Sequence, residues 1–248
     1  MAYIVTGGHS PIALAITKKL CNKYKVYHIT RKIDDFLKTE TSDFTNIVLE
    51  EWDLENTTSC ITKLKNKLEN EVIDGIVFSH RYREGQKNFS AQFTVEVKTP
   101  FDLINLYCSH NRFQEASIVF ITSPAASSIV QEQDFAYHAC KAALSQLVKF
   151  AAINLSNGKK RFNGVSPGGF FMKERSRIFY EQNKELLDSI NNFVPLGRMG
   201  TVDEVASVVE FLCSCAASFI NGEIITVDGG YSGMEPSFAL LDKGPKQN

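Results

Sequence analysis

The sequence predicts an α/β fold: a single domain on a doubly wound parallel sheet of about seven strands, with helices on both faces. Three observations predict it. Short apolar runs alternate with longer helix-patterned segments along the whole chain. The first of those runs passes through a glycine turn directly into a helix that opens on Ser10-Pro11. The length of 248 residues and a hydrophobic content of 44% suit one large domain with a full core. No internal repeat, low-complexity block or Pro/Gly-rich linker divides it.

Each element carries a local signal. Tyr3–Thr6, Lys25–Ile29, Asn46–Glu50, Ile73–Phe78, Ile118–Thr122, Arg161–Val165 and Glu223–Val227 read as buried strands. Between them, Pro11–Cys21, Thr57–Glu69, Ala91–Ser109, Phe135–Asn157 and Asp203–Cys215 carry helical patterning, which implies right-handed crossovers. Ser10 stands in an N-cap position, and Pro11 in the first helical position, where a missing N–H is harmless. Thr201 and Glu204 have capping-box spacing. In Phe135–Asn157, the residues Leu144, Leu147, Val148, Ala151 and Ala152 form an apolar stripe suited to core or interface. The tail, 234–248, reads as weakly structured at its end.

Composition excludes some partners. Lysine and arginine number 27 against 28 acidic residues, a formal net charge of −1, which makes no electrostatic case for nucleic acid or an anionic membrane. The lysines from Lys63 to Lys67 precede Glu69 and Glu71, a solvated helix face. No apolar run approaches the roughly 20 residues that span a bilayer. The first strand starts too early for a signal peptide. Cys21, Cys60, Cys108, Cys140, Cys213 and Cys215 show no CxxC spacing, so they read as free thiols rather than metal ligands. The expectation is a cytoplasmic globular protein without a metal.

The chemistry centres on Tyr137-His138-Ala139-Cys140-Lys141. Positions i and i+4 of a helix share a face, so the Lys141 ammonium stands beside the Tyr137 phenol. A nearby cation favours the phenolate; a shift of roughly three units from about 10 would bring the phenol into the range of general acid–base catalysis. Ser123, fourteen residues earlier and at the end of an apolar strand, is placed to bind the same substrate oxygen. The pattern alone is cheap, since Tyr180 and Lys184 repeat it without a preceding strand or serine. His138 and Cys140 sit at offsets that turn them elsewhere, as packing residues.

Two further segments bear on a nucleotide. Val5-Thr6-Gly7-Gly8-His9-Ser10-Pro11-Ile12-Ala13 joins strand to helix in the manner of a turn that brings backbone close to a pyrophosphate. Only the leading glycines are present, so a tight structural turn explains the segment equally well. His28-Ile29-Thr30-Arg31 ends the second strand without a carboxylate before Asp34. Arg31 there suits a 2′-phosphate and favours NADP(H) over NAD(H), although arginine is also common at a strand end.

Taken together, these residues resemble the short-chain dehydrogenase/reductase family in its short single-domain form, from about Tyr3 to Tyr231. Thr6-Gly7-Gly8 is similar to the family's glycine turn, and Asp53-Leu54 to its adenine-side pair. Ser123, Tyr137 and Lys141 are similar to its catalytic serine, tyrosine and lysine. Asn163 to Gly168 looks like the segment leading to a Pro-Gly beside nicotinamide. Pro195 to Gly200, Asn221-Gly222 and Val227 to Gly230 look like its later signatures. The resemblance implies a Rossmann-type fold and hydride transfer between NADP(H) and a small carbonyl or alcohol compound. Tyr137 would be the acid in reduction, Lys141 its electrostatic support and ribose ligand, and Ser123 the carbonyl-polarising group. Cofactor contacts are implied for Thr6, Gly7, Gly8, Ser10, Ile12, Arg31, Asp53, Leu54, Ser79, Tyr137, Lys141, Pro167, Gly168 and Phe170. It also implies a homodimer or homotetramer through Ala91–Ser109 and Phe135–Asn157.

There are departures from the pattern. Phe78-Ser79-His80-Arg81 stands where the family has Asn-Asn-Ala-Gly, and Glu96 where it has an Asn that helps hold a water near the lysine. Glu96 is also able to attract Lys141 directly. Pro11 and Met172 replace a loop glycine and a phosphate-binding threonine. The arginines of His80-Arg81-Tyr82-Arg83 meet phosphate or solvent. About 170–195, with Phe170, Phe171, Met172, Phe179, Tyr180 and Phe193 among Lys173, Arg175, Arg177 and Lys184, is either a substrate lid or an amphipathic helix pair. The departures keep a second reading open, a catalytically degenerate binding or scaffolding subunit. A sugar-nucleotide epimerase or dehydratase ranks last, because the chain is short for it.

Overall fold

The computed structural model describes residues 2–83, 88–110, 115–172 and 174–235. Its main sheet is parallel and seven-stranded, ordered β3-β2-β1-β4-β5-β6-β9. The strands are β1 (Ala2–Thr6), β2 (Lys25–Thr30), β3 (Ile47–Glu51), β4 (Ile73–Phe78), β5 (Ala116–Ile121), β6 (Lys160–Pro167) and β9 (Ile224–Val227). A two-stranded pair, β7 (Phe171–Met172) and β8 (Gly200–Thr201), lies apart. Each expected strand exists, within two residues of its expected bounds.

Alternation along the central strands builds two cores. Ile4, Ile76, Phe78, Ile118 and Phe120 pack on one face, with Leu64, Leu68, Leu103, Tyr107 and Val148 from the helices covering it. Val5, Val77, Val119 and Val165 point the other way, against Ala13, Ile16, Val205, Val209 and Leu212. Each such fully buried side chain contributes about 1.5–3 kcal/mol of transfer free energy.

The first face is covered by α3 (Thr57–Asn70), α5 (Thr99–Ser109) and α6 (Phe135–Asn154), the second by α1 (Pro11–Leu20) and α9 (Val202–Cys213). One helix lay outside the expected elements, α2 (Asp35–Thr41), capped by Asp34 through the Leu37 amide; the expected helix Ala91–Ser109 begins as the short α4 (Phe89–Phe93). The segment after β7 holds α7 (Glu174–Gln182) and α8 (Lys184–Phe193), with Ile190, Val194 and Met199 as a small core joined by Phe170, Met172 and Tyr180. Of the aromatic residues in 170–195, Phe170 and Tyr180 join this cluster, Phe171 packs in the second core, and Phe179 is exposed. Tyr180 and Lys184 fall in different helices, so that second pair shares no helical face.

Two local expectations fare differently. Thr201 and Glu204 form a complete capping box. Ser10 precedes α1 but makes no side-chain cap bond; its amide donates to the Gly7 carbonyl instead, at 2.9 Å. The stripe on α6 is core, because Leu144, Leu147, Val148, Ala151 and Ala152 are all buried. Most of the tail lies outside the described residues.

One distortion positions chemistry. The expected helix Ala91–Ser109 is interrupted by a π turn over Thr94–Lys98, where the Thr99 amide bonds to the Thr94 carbonyl, five residues back. Pro100 explains it. Lacking an N–H, it cannot donate to the carbonyl of Glu96, four residues earlier, and its ring crowds that carbonyl.

Candidate active site

The site lies at the carboxyl ends of β1, β4 and β5, where open parallel sheets leave a crevice. Asp134 caps α6, its carboxylate accepting from the Tyr137 amide at 2.9 Å, which fixes Tyr137 in the first turn. One turn on, Lys141 is buried with its ammonium 5.5 Å from the centre of the Tyr137 ring. Ser123 follows β5 and is half-buried; its hydroxyl accepts from the Ala125 amide at 3.2 Å.

The counter-ion to Lys141 is Glu96. The two side chains are 4% and 1% exposed, and Nζ lies 3.0 Å from Oε2. This contact is ionic rather than a well-aligned hydrogen bond, since Oε2 has no hydrogen-bonding partner among the described residues. The other oxygen, Oε1, accepts from the Tyr82 amide and the Gln92 side chain, both at 3.2 Å. The π turn places Glu96 on this inner face. Above the phenol, the Arg81 guanidinium carbon stands 4.3 Å from the Tyr137 ring centre, while its terminal nitrogen donates to the Gln133 side chain.

The glycine turn forms the other end. Gly7 (φ 140°) and Gly8 (φ 47°) both lie in the region that favours glycine. A Cβ on Gly7 would stand 2.6 Å from that of Ala13 and 2.9 Å from the Ser79 carbonyl; one on Gly8 would stand 2.8 Å from the Thr30 hydroxyl. Two histidines, His28 buried and His80 half-buried, brace this end in the same way. His28 Nε2 donates to the Gly8 carbonyl at 2.9 Å, and Nδ1 accepts from the Thr17 hydroxyl at 2.8 Å. His80 Nε2 donates to the Val95 carbonyl at 2.8 Å, and Nδ1 accepts from the Thr6 hydroxyl at 2.7 Å. The carbonyl partner assigns each tautomer. Burial pushes both imidazoles down, from 6.5 to about 4, so both are neutral.

A cavity of about 230 Å³ runs between the turn and the loop after β4. Of the expected cofactor residues, Gly7, Gly8, Ser10, Arg31, Asp53 and Leu54 line it, beside His80, Arg81 and Arg83. Thr6 and Ser79 are buried beneath it, and Ile12 packs partly into the core. Ser123, Tyr137 and Lys141 are not among its walls; Arg81 spans the two places. Pro167 ends β6, Gly168 donates to the Val227 carbonyl, and Phe170 packs against Phe193 and Tyr231, away from this cavity. Two features bear on a dinucleotide: the protein's own packing keeps Gly7 and Gly8 without a Cβ, which leaves bare backbone along the cavity wall, and the Ser79 hydroxyl is buried without a partner among the described residues. At this volume the cavity holds one end of such a molecule, since whole-ligand pockets run to about 300–1,000 Å³.

Sequence reasoning missed the bracing by His28 and His80, the stacking of Arg81 on Tyr137, and the π turn. Pro100 was the legible signal for the last. His138 is a structural residue as expected: its Nε2 accepts from the Val130 amide at 2.9 Å. Cys140 is buried, its thiol pushed up to about 12 by desolvation.

A family model described as enoyl-(acyl carrier protein) reductase matches residues 76–232, more than half of the chain. The chain belongs to the short-chain dehydrogenase/reductase family. A tropinone reductase homolog of Arabidopsis thaliana is 36% identical over 124 residues, covering 50% of this chain and 46% of that protein. This chain thus spans about half the length of the curated relatives it matches at that level. A tropinone reductase homolog of Datura stramonium is 28% identical over 94% of this chain and 92% of its own. Among solved structures, a gluconate 5-dehydrogenase from Burkholderia cenocepacia, in complex with NADP and tartrate, superposes with a TM-score of 0.79 at 20% identity. It covers 94% of this chain and 96% of that one. A short-chain dehydrogenase family protein from Francisella tularensis reaches 0.74 at 24% identity, covering 94% and 99%. Both share the fold.

Proposed function

We propose that this protein is an NADP(H)-dependent oxidoreductase that interconverts a small carbonyl compound and its alcohol. The observation that carries the reading is Tyr137 in the first turn of α6, with buried Lys141 one turn below it. Both stand at the strand ends beside a cavity floored by glycine backbone.

The nicotinamide cofactor supplies or accepts the hydride; the chain supplies position and protons. Thr6, Gly7, Gly8, Ser10 and Ile12 would hold its phosphates, with Arg31 at the 2′-phosphate, Asp53 and Leu54 at the adenine, and Ser79 beneath. Pro167, Gly168 and Phe170 would flank the nicotinamide. Tyr137 gives its hydroxyl proton to the substrate oxygen in reduction and takes it back in oxidation. Ser123 donates a second hydrogen bond to that oxygen, and Lys141 orients the ribose hydroxyls. The NADP-bound neighbours support use of NADP(H), and the choice of NADP(H) over NAD(H) rests on Arg31. About 170–195 would cover the substrate.

Tyr137→Phe tests this directly. The variant is expected to lose about 10²–10⁴-fold in turnover of NADPH with a carbonyl panel, while nicotinamide fluorescence still reports cofactor binding. Full activity in the variant removes Tyr137 from the mechanism.

A second reading, a binding or scaffolding subunit, is favoured by the carboxylate of Glu96 against Lys141, which compensates the charge the mechanism uses. Absence of NADPH binding at millimolar concentration would select it. Self-association is proposed through the outward faces of α5 and α6, where Phe101, Phe150 and Ile153 are exposed; a monomeric mass by light scattering contradicts that. Six free cysteines support a reducing, cytoplasmic setting, and a secreted location in fractionation contradicts it.

A further inference from the structure

We infer that Arg81 anchors an acidic group on the substrate, so that the compound reduced at Tyr137 is an oxo acid whose carboxylate lies next to, or one carbon from, its carbonyl. The inference rests on the reading of Tyr137 as the proton donor and narrows its substrate to a chemical class.

Two cations flank the Tyr137 ring, and they differ in what compensates them. Lys141 is buried, and its charge is matched by the equally buried Glu96 at 3.0 Å. Arg81 is exposed, and its hydrogen-bonding partner is the uncharged side chain of Gln133. Among the described residues no carboxylate pairs with Arg81. Positive charge at this end of the cleft is therefore left open on one group.

The geometry of that group suits an anion. A guanidinium carries five N–H donors in a planar fork, and the bond to Gln133 leaves donors for a bidentate carboxylate. Its carbon lies 4.3 Å from the centre of the Tyr137 ring, so a substrate oxygen at the phenol hydroxyl is within a few bonds of the guanidinium. Only a short spacer between carbonyl and carboxylate reaches both. The stacking is itself worth about 0.5–1 kcal/mol at an exposed site and holds the fork in place before a ligand arrives. Gln133 ties it to the segment leading into α6, the helix that carries Tyr137.

The step balances without Arg81 entering the redox chemistry. In reduction the carbonyl carbon gains a hydride from the reduced nicotinamide and the carbonyl oxygen gains the Tyr137 proton. The oxo acid becomes a hydroxy acid, the nicotinamide is oxidised, and solvent reprotonates the phenol. The carboxylate keeps its charge throughout, held by the guanidinium.

The test compares 2-oxobutanoate and 3-oxobutanoate with the primary amide of each, by calorimetry with and without NADPH and by steady-state turnover. Wild type is expected to favour acid over amide. Arg81→Gln is expected to reduce that preference about 10- to 100-fold, through KM and acid affinity, with Arg81→Lys between the two. NADPH affinity, read by fluorescence, should change little. Equal use of acid and amide by wild type, or an unchanged preference in Arg81→Gln, overturns the anchor. So does failure of both acids to bind at millimolar concentration. An Arg81→Gln variant that only weakens or only tightens NADPH binding assigns the guanidinium to the cofactor's space and also overturns it. Acid binding that depends on Arg81, with no turnover of any oxo acid, upholds the anchor and sinks the oxidoreductase reading alone.

Discussion

At the glycine-turn end of the cleft, order comes from neutral groups: two imidazoles, each between a hydroxyl and a backbone carbonyl. At the tyrosine end, order comes from a buried ion pair and a stacked guanidinium. The first arrangement holds backbone, which a phosphate-bearing ligand requires. The second holds charge, which a proton transfer requires. A neutral brace fails when it is protonated, whereas an ion pair fails when one partner is removed.

The largest stability effect is expected at the ion pair. Glu96→Gln leaves Lys141 buried without its counter-ion, at about 3–5 kcal/mol, a fall in Tm of about 10 °C for a chain of this size. Removing both charges, with Glu96→Gln and Lys141→Met together, should restore part of the loss. Melting like the parent in the single variant breaks the contrast.

Acid tests the other end. His28 and His80 have folded values of about 4 against 6.5 unfolded. Above 6.5 both states are neutral and the folded state keeps its full stability. Between 6.5 and about 4 the unfolded chain takes up protons that the folded one refuses. Stability thus falls across that window by about 3 kcal/mol per histidine and levels off below it. Around His80 the charged neighbours are Glu96, which opposes the shift, and Lys141, which adds to it; around His28 it is His9. Glu204, held down to about 2 chiefly by Arg198, contributes its loss only below its unfolded 4.5. Thermal melts from pH 8 to 4 read this directly, and a flat profile refutes the neutral brace.

Gly8→Ala should have the smallest effect on stability, about 1–2 kcal/mol for a left-handed residue whose Cβ meets the Thr30 side chain, and NADPH affinity should fall with it if the turn carries the cofactor phosphates. Unchanged NADPH affinity would make the turn a purely structural one.

Much of the fold was legible because buried parallel strands are short apolar runs, and all seven strands of the main sheet were read within two residues. The α2 helix was not, since seven residues carry too little periodicity. At the site, Tyr137, Lys141 and the glycine turn were legible through local spacing, and the Glu96–Lys141 attraction was anticipated. The position of Arg81 was not, because it depends on how the loop after β4 meets the segment before α6, contacts 52 residues apart in sequence. His28 and His80 were passed over because an isolated histidine shows nothing of its partners until strands are paired.

Pro100 never touches the cleft, yet it governs what faces Lys141. By withholding one amide it makes the helix take a wider turn over Thr94–Lys98, where Glu96 is buried, while Leu103, Ile104 and Tyr107 keep their seats in the core. A residue chosen for what it cannot donate thus shapes the turn that carries the counter-charge beneath the phenol.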